Sequence, residues 1–361
     1  MSEPRVCWLT PDKPANISVG RRRIATHLRE WGIEIALRGT TRTTVTAALR
    51  SRAGFDAVIG TTRAGAIAGT VVAAARRCPL IVDHVDPIRQ FEATASGPVA
   101  TTVRQLENLA FARSAHVCYV YPEERPRVER FASRVTKTDL GVEFERFAKP
   151  APEAIRAAEE RLDEAGVSGR VAIYLGGLEP IYHIEELLES ARFLENWTVL
   201  VVGDGSLAGL VERAASEHER IVFLGSVPYE AVPGYLHVAD IGVCLVDDPH
   251  TLKVLEYGAA GLPVVQLAGR AAERFGGLVE FCSADPADIV RAIEAAGERS
   301  TDDDWGSETA RTAADDRPSD SDRTGGDERT GTNSESLRAF AQRYDWARIA
   351  EDYERAVREV T

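Results

Sequence analysis

The sequence is poor in several things, and each shortage narrows the reading. Methionine occurs once, and aromatic residues are only 7% of the 361 positions. The five cysteines, Cys7, Cys78, Cys118, Cys244 and Cys282, are scattered, mostly in apolar runs, with no Cys-x-x-Cys. That pattern excludes a disulfide framework or a zinc site and reads as free core thiols in a reducing compartment. Nowhere are eighteen consecutive residues apolar, and the leading Met-Ser-Glu-Pro-Arg has no apolar signal region. We therefore expect a cytoplasmic protein without a membrane span, with peripheral attachment at the inner face of a membrane left open. Positive charge is also short. A net charge of −13 disfavours general attraction to nucleic acid, so no nucleic-acid partner is expected.

What is present is globular: 44% apolar and 27% charged residues, in a chain long enough for two domains with separate cores. Strand-like runs alternate with helical spacing. Arg5–Thr10 reads as a strand, Ile17–Trp31 as a helix stopped by Gly32, and Ile33–Leu37 as the next strand. Strands follow at 55–60, 79–84, 115–120 and 135–140, with helices at 64–75, 99–112 and 122–131 between them. After Gly141–Phe147 and a Pro-containing stretch comes a helix at 153–166. A second alternation follows: strands at 171–175, 198–202, 221–223, 240–246 and 262–267, helices at 183–193, 207–216, 229–237, 251–260 and 287–295. This is the pattern of two doubly wound parallel sheets. The expected division is 1–150, 151–297, an acidic disordered loop at 298–334, and a helix at 335–361 packing at the domain junction. The acidic loop contains Asp302-Asp303-Asp304, which resembles a metal motif but reads as a solvated run; no metal site is expected.

Ligands bind such folds beyond the carboxyl ends of strands, where helix amino ends favour anions. The stretch Asp248-Pro-His-Thr-Leu-Lys-Val-Leu-Glu256 lies at such a mouth, with Asp248, Lys253 and Glu256 as its charged groups. Gly176-Gly177 and Gly203-Asp204 sit at strand ends, where they either admit a phosphate close to the backbone or form plain turns. In the first half, Gly20 permits close backbone approach by a ligand. Arg21, Arg22 and Arg23, near a helix start, are either held there for an anion or form a solvated basic face.

Asp248-x7-Glu256 followed by Tyr257-Gly-Ala-Ala-Gly-Leu-Pro-Val-Val265 resembles the acidic-x7-Glu signature of the retaining glycosyltransferases of family 4. Leu140-Gly-Val-Glu-Phe-Glu-Arg-Phe147 is similar to that family's interdomain segment. Leu175-Gly-Gly-Leu-Glu-Pro180, Val201-Val-Gly-Asp-Gly-Ser206, Ile221–Pro228, Ala284–Asp288 and Tyr344-Asp-Trp346 fall in the family's order. The resemblance covers nearly the whole chain outside the acidic loop. It implies a GT-B fold, with two Rossmann-like domains facing a central cleft and a carboxy-terminal helix crossing back. It also implies a metal-independent transfer of a hexosyl group from a nucleotide-diphosphate sugar to a hydroxyl of a glycan, lipid-linked or polysaccharide acceptor. No cofactor is implied beyond that donor substrate.

The implied roles are specific. Glu256 accepts hydrogen bonds from the nucleotide ribose, Asp248 holds the donor sugar, and Thr251, Leu252 and their neighbours offer backbone N–H groups to the diphosphate. Lys253 adds charge. Asp83, His84 and Asp86 line the sugar or acceptor site. Gly177 and Tyr182 stand where family members usually carry an Arg and a Lys that grip the diphosphate. That leaves Lys253 or the 21–23 arginines to supply the cation, with Tyr182 free to stack. These absences also motivate a second reading, a catalytically silent protein that binds a glycan or partners another transferase. A nucleotide-sugar epimerase shares the fold, but the 140–147 and 248–265 segments resemble the transferases.

Overall fold

The computed structural model describes residues 3–11, 16–51, 54–92, 95–302 and 336–361. The chain divides into two compact units: Met1–Val142 with Tyr344–Thr361, and Glu143–Arg343. Most of the acidic loop expected at 298–334 lies outside the described residues. Residues 298–302 continue the preceding helix.

Unit 1 runs β1 Arg5–Thr10, α1 Asn16–Glu30, β2 Glu34–Gly39, α2 Arg42–Arg50, β3 Ala57–Thr61, α3 Thr62–Arg76, β4 Leu80–His84, α4 Ile88–Glu92, α5 Gly97–Arg113, β5 His116–Tyr119, α6 Arg125–Phe131 and β6 Val135–Lys137. Its sheet is parallel, in the order β2-β1-β3-β4-β5-β6. Side chains alternate across it, as the two-residue period of a strand requires. Val6 and Trp8 join one core with Ile24 and Leu28 of α1; Cys7 and Leu9 join the other with Ala66 and Val72 of α3 and Phe111 of α5. Strands buried on both faces explain the near-continuous apolar runs in the sequence.

Unit 2 runs α7 Phe144–Ala148, α8 Pro152–Glu164, β7 Arg170–Gly177, α9 Ile184–Ser190, β8 Trp197–Asp204, α10 Ala208–Glu217, β9 Ile221–Gly225, α11 Val232–Val238, β10 Ile241–Cys244, α12 Leu252–Ala260, β11 Val264–Leu267, α13 Ala272–Phe275, β12 Glu280–Cys282, α14 Pro286–Asp302 and α15 Leu337–Gln342. Its parallel sheet has the order β12-β11-β10-β7-β8-β9. The chain then returns to unit 1 as α16, Trp346–Val360.

Two boundaries differ from the sequence expectation. The break falls after Val142 instead of near 150, because Phe144 and Phe147 of α7 are buried in unit 2, with Phe147 edge-on to Tyr229. The single terminal helix is two helices: the first ends at its C-cap Arg343, and Asp345 caps the next, accepting from the Ala347 N–H at 2.8 Å. α16 packs on unit 1 through Ile349, Ala350, Tyr353, Ala356 and Val357, the apolar stripe of a 3.6-residue period. All five cysteines are unpaired, four buried and Cys78 partly so. Among the described residues, no helix is long and apolar enough to cross a membrane.

Candidate functional site in the second unit

In unit 2 the strand order reverses between β7 and β10, which sit side by side although three helices and two strands separate them in the chain. A switch point of this kind opens a crevice at the strands' carboxyl ends. Gly176 and Gly177 end β7, and they pair in register with Gly203 and Asp204 ending β8. Gly203 has φ +148°, and a Cβ there would lie 1.8 Å from the Gly176 carbonyl oxygen, so only glycine lets these two tips touch. Asp204 folds its own turn by accepting from the Gly205 N–H at 2.8 Å.

The loop after β10 is folded by Asp248. Its carboxylate accepts from the His250 N–H at 2.9 Å, and its carbonyl from the Thr251 N–H at 3.3 Å. Thr251 is the N-cap residue of α12, but its side chain makes no cap bond; its hydroxyl lies 3.7 Å from Cys244 Sγ. Leu252 opens the helix. One turn further, Tyr257 lies against Gly242 of β10, where a Cβ would meet its ring at 2.5 Å. The Tyr257 hydroxyl accepts from the Leu175 N–H at 3.1 Å, tying α12 to the end of β7.

Lys253 reaches from α12 to those glycine tips. A Cβ on Gly176 would lie 2.6 Å from Lys253 Cε. The ammonium donates to the Tyr174 hydroxyl at 2.9 Å, and that hydroxyl donates to the Gly177 carbonyl at 2.6 Å. It also lies 4.4 Å from the ring centre of Tyr174 and 4.1 Å from that of Tyr182. Tyr182, standing where the family resemblance leads one to look for a lysine, thus braces a lysine from another helix. Among the described residues no carboxylate forms an ion pair with Lys253. Burial holds its pKa below the ordinary lysine value.

Glu256 is three residues on, on the same side of α12. It is half-buried and accepts from the Tyr229 hydroxyl at 3.3 Å. Burial pushes its carboxyl up to about 7, opposed by the Tyr229 hydrogen bond and by Lys253. Tyr229 is fixed by Phe147 at its edge and by Arg146, whose guanidinium lies 4.9 Å from the ring centre.

The candidates in unit 1 form a different kind of cluster. Asp83 has no exposed surface, and its carboxylate is fully engaged. Arg21 donates through Nε at 2.7 Å and Nη2 at 2.8 Å, Thr61 through its hydroxyl at 2.7 Å, and Tyr353 of α16 at 2.6 Å. Arg21 is itself fully buried. His84 is 1% exposed, with Nε2 3.0 Å from Glu124 and Nδ1 3.3 Å from Glu107. Burial opposes its charge, yet these two carboxylates hold its pKa above the ordinary value. Arg127 pairs with both glutamates, at 2.6 and 3.0 Å.

Three expectations change on this geometry. Asp83 and His84 present no free polar atom to an acceptor, because every lone pair or N–H that could reach one already has a partner. Arg21 serves Asp83 and not an anionic ligand. Gly20 admits Trp346 and not a substrate, since a Cβ there would lie 2.4 Å from the indole. Asp86 alone stays half-buried, 3.7 Å from Arg63. Burial raises its pKa, against the pull of Arg63.

Sequence reading assigns no site role to Tyr174, Tyr229, Glu107, Glu124 or Tyr353. Tyr174 lies inside an apolar strand run and Tyr353 on an amphipathic stripe, so both look like core. Glu107 is the single acid of α5, which was a usable signal. Among the described residues, no three His, Cys, Asp or Glu side chains gather closely enough to hold a metal ion.

The comparisons agree with this architecture. Residues 169–298 match the model of the glycosyl transferases group 1 family. Over 186 residues, 49% of this chain, the sequence is 27% identical to TuaH of Bacillus subtilis (strain 168), by name a glycosyltransferase ascribed to teichuronic acid biosynthesis; the match spans 46% of that protein. Among solved structures, Anabaena Alr3699/HepE in complex with UDP and glucose superposes with a TM-score of 0.70 at 16% identity, covering 99% of this chain and 100% of that one. Sucrose-phosphate synthase from Thermosynechococcus elongatus gives 0.69 at 14% identity, covering 99% of both. The chain thus has the two-sheet GT-B fold of these structures, and within its second unit residues 169–298 are similar to the glycosyl transferases group 1 family.

Proposed function

We propose that this protein is a retaining, metal-independent glycosyltransferase that moves a hexosyl group from a nucleotide-diphosphate sugar to an acceptor hydroxyl on a glycan, lipid-linked sugar or polysaccharide. The observation that carries the proposal is Lys253: an ammonium held at the uncapped amino end of α12, against two strand-end glycines, with no carboxylate ion pair among the described residues. A cation kept there despite the cost of burial is a site for an anion, and a diphosphate fits its charge.

In this reading the bond from the anomeric carbon to the diphosphate oxygen breaks while the acceptor oxygen bonds to the same face of that carbon. The acceptor's proton leaves with the diphosphate. Lys253 and the first N–H groups of α12, at Leu252 and Lys253, take up the charge that develops on the leaving group. Glu256 accepts from the ribose diol, as an ionised carboxylate can. The backbone at Gly176, Gly177 and Gly203 admits the phosphates, and Asp248 holds the donor sugar. Asp86 is the first-unit residue assigned to the acceptor, while His84 and Asp83 fix the strand end that carries it.

HepE, one of the solved structures of like fold, is described with UDP and with UDP-glucose, so UDP-glucose is the first donor to try. The test is calorimetric titration with UDP and GDP, followed by incubation with labelled UDP-hexoses with and without acceptor. Binding of one nucleotide, with slow sugar release in the absence of acceptor, is expected. Absence of binding to either nucleotide rejects the transferase and favours the silent, glycan-binding reading motivated by Gly177 and Tyr182.

A further inference from the structure

One face of unit 1 departs from the rest of the chain in both charge and polarity. α2, α3 and α5 lie side by side over the same core. Their sequences carry six arginines, Arg42, Arg50, Arg63, Arg76, Arg104 and Arg113, against one acid, Glu107. That acid is fully buried and paired with His84 and Arg127. The chain as a whole carries −13. Arg104 is paired with Glu92 and Arg63 lies beside Asp86, but Arg42, Arg50 and Arg113 stand exposed at helix ends.

The same helices expose aliphatic side chains. Val71 on α3 is 54% exposed, and Val99, Leu106 and Leu109 on α5 are 51%, 42% and 45% exposed. These are four of the eight large apolar side chains exposed among the described residues. Around them the outer surface includes Ala64, Ala74, Thr101, Thr102 and Gln105, and the acids beside it, Glu92 and Asp86, are each next to an arginine, Arg104 and Arg63.

We propose that this α2–α3–α5 face docks on an anionic lipid bilayer. Aliphatic side chains at the centre of a patch with arginines at its edges suit a surface that is apolar below and negative above. A second copy of the chain fits less well, because a two-fold contact would set the arginines of one copy against those of the other. A nucleic acid would leave the protruding valine and leucines without partners. The proposal does not rest on the transferase reading, since vesicle binding is measured without donor or acceptor.

The experiment is sedimentation of the full chain with vesicles of phosphatidylcholine alone and of phosphatidylcholine mixed with phosphatidylglycerol. Partitioning to the anionic vesicles is expected to be about tenfold tighter or more, and to weaken as salt is raised. Leu106→Asp with Leu109→Asp should return it to the neutral-vesicle level, with circular dichroism and thermal midpoint unchanged. Arg42→Glu with Arg113→Glu, whose side chains lie at exposed helix ends, serves as the second pair if the first fails to fold. Absence of binding, or equal binding to both vesicles at all salt concentrations, overturns the proposal. So does a concentration-dependent dimer, or binding to a DNA or RNA oligomer, that is lost in the leucine variant while vesicles are ignored.

Discussion

Lys253 has two aromatic rings and a tyrosine hydroxyl for company, and those neighbours set what its removal does. Lys253→Ala should weaken UDP binding about 10–100-fold, the range of a lost charge-assisted contact, with the fold unchanged, as read by calorimetry and thermal melting. Glu256 gives a pH signature. Its carboxyl, pushed up to about 7, is largely neutral in mild acid and becomes an acceptor-only carboxylate as pH rises through that value. UDP affinity should therefore rise from about pH 6 to about pH 8, and Glu256→Gln should bind more weakly with a flatter profile. At this scale the sequence was informative where partners lie close along the chain. Asp248, Thr251, Lys253 and Glu256 fall within one loop and helix, so spacing brings them together. Asp83 was misread because the groups that close it off, Arg21, Thr61 and Tyr353, come from three distant segments and carry no joint pattern.

The elements follow apolar periodicity closely where they are buried on two faces, and less well elsewhere. α2 was not foreseen, because Arg42–Arg50 is threonine-rich and buries only Ala48. β12 was missed as a three-residue edge strand. Tyr344 and Asp345 are not strong helix breakers, so periodicity alone joins α15 and α16 into one helix; the Asp345 cap divides them. Energetics at this scale centre on the ends of β4. His84, Glu107, Glu124 and Arg127 join α5 and α6 to that strand. The contribution of His84, whose pKa is raised in the fold, is complete below its unfolded value near 6.5 and lost as pH rises through the folded one. Glu107 and Glu124 are held low, Glu124 at about 2, so their share is present above 4.5 and lost on acidification. Thermal stability should therefore decline from mild acid toward alkaline pH, and His84→Gln should flatten that slope. Asp83→Ala, which strands the buried Arg21, should cost about 3–5 kcal/mol in denaturant unfolding, against about 1–3 kcal/mol for Tyr353→Phe.

At the scale of the whole molecule, unit 1 is assembled from both ends of the chain. Val142 accepts from the Trp346 N–H at 3.1 Å and donates to the Tyr344 carbonyl at 2.8 Å, so the outgoing and returning strands leave unit 1 together. Trp346 sits against Gly20 and Gly141, and Tyr353 stacks on Trp8 with ring centres 5.6 Å apart. Removing α16 should therefore damage the first unit, although it comes last in sequence. A chain ended at Arg343 is expected to lose protection of the Trp8 and Asp83 region in hydrogen exchange while β7–β12 keep theirs. Seen from the ribosome, this connectivity sets an order of events. The first unit emerges early but stays open along Trp8, Ile24 and Leu28 until roughly 200 further residues have been made, a delay of about 10–40 s at ~5–20 residues per second. Over that interval the second unit can complete itself, and the nascent first unit is the part a chaperone has reason to hold.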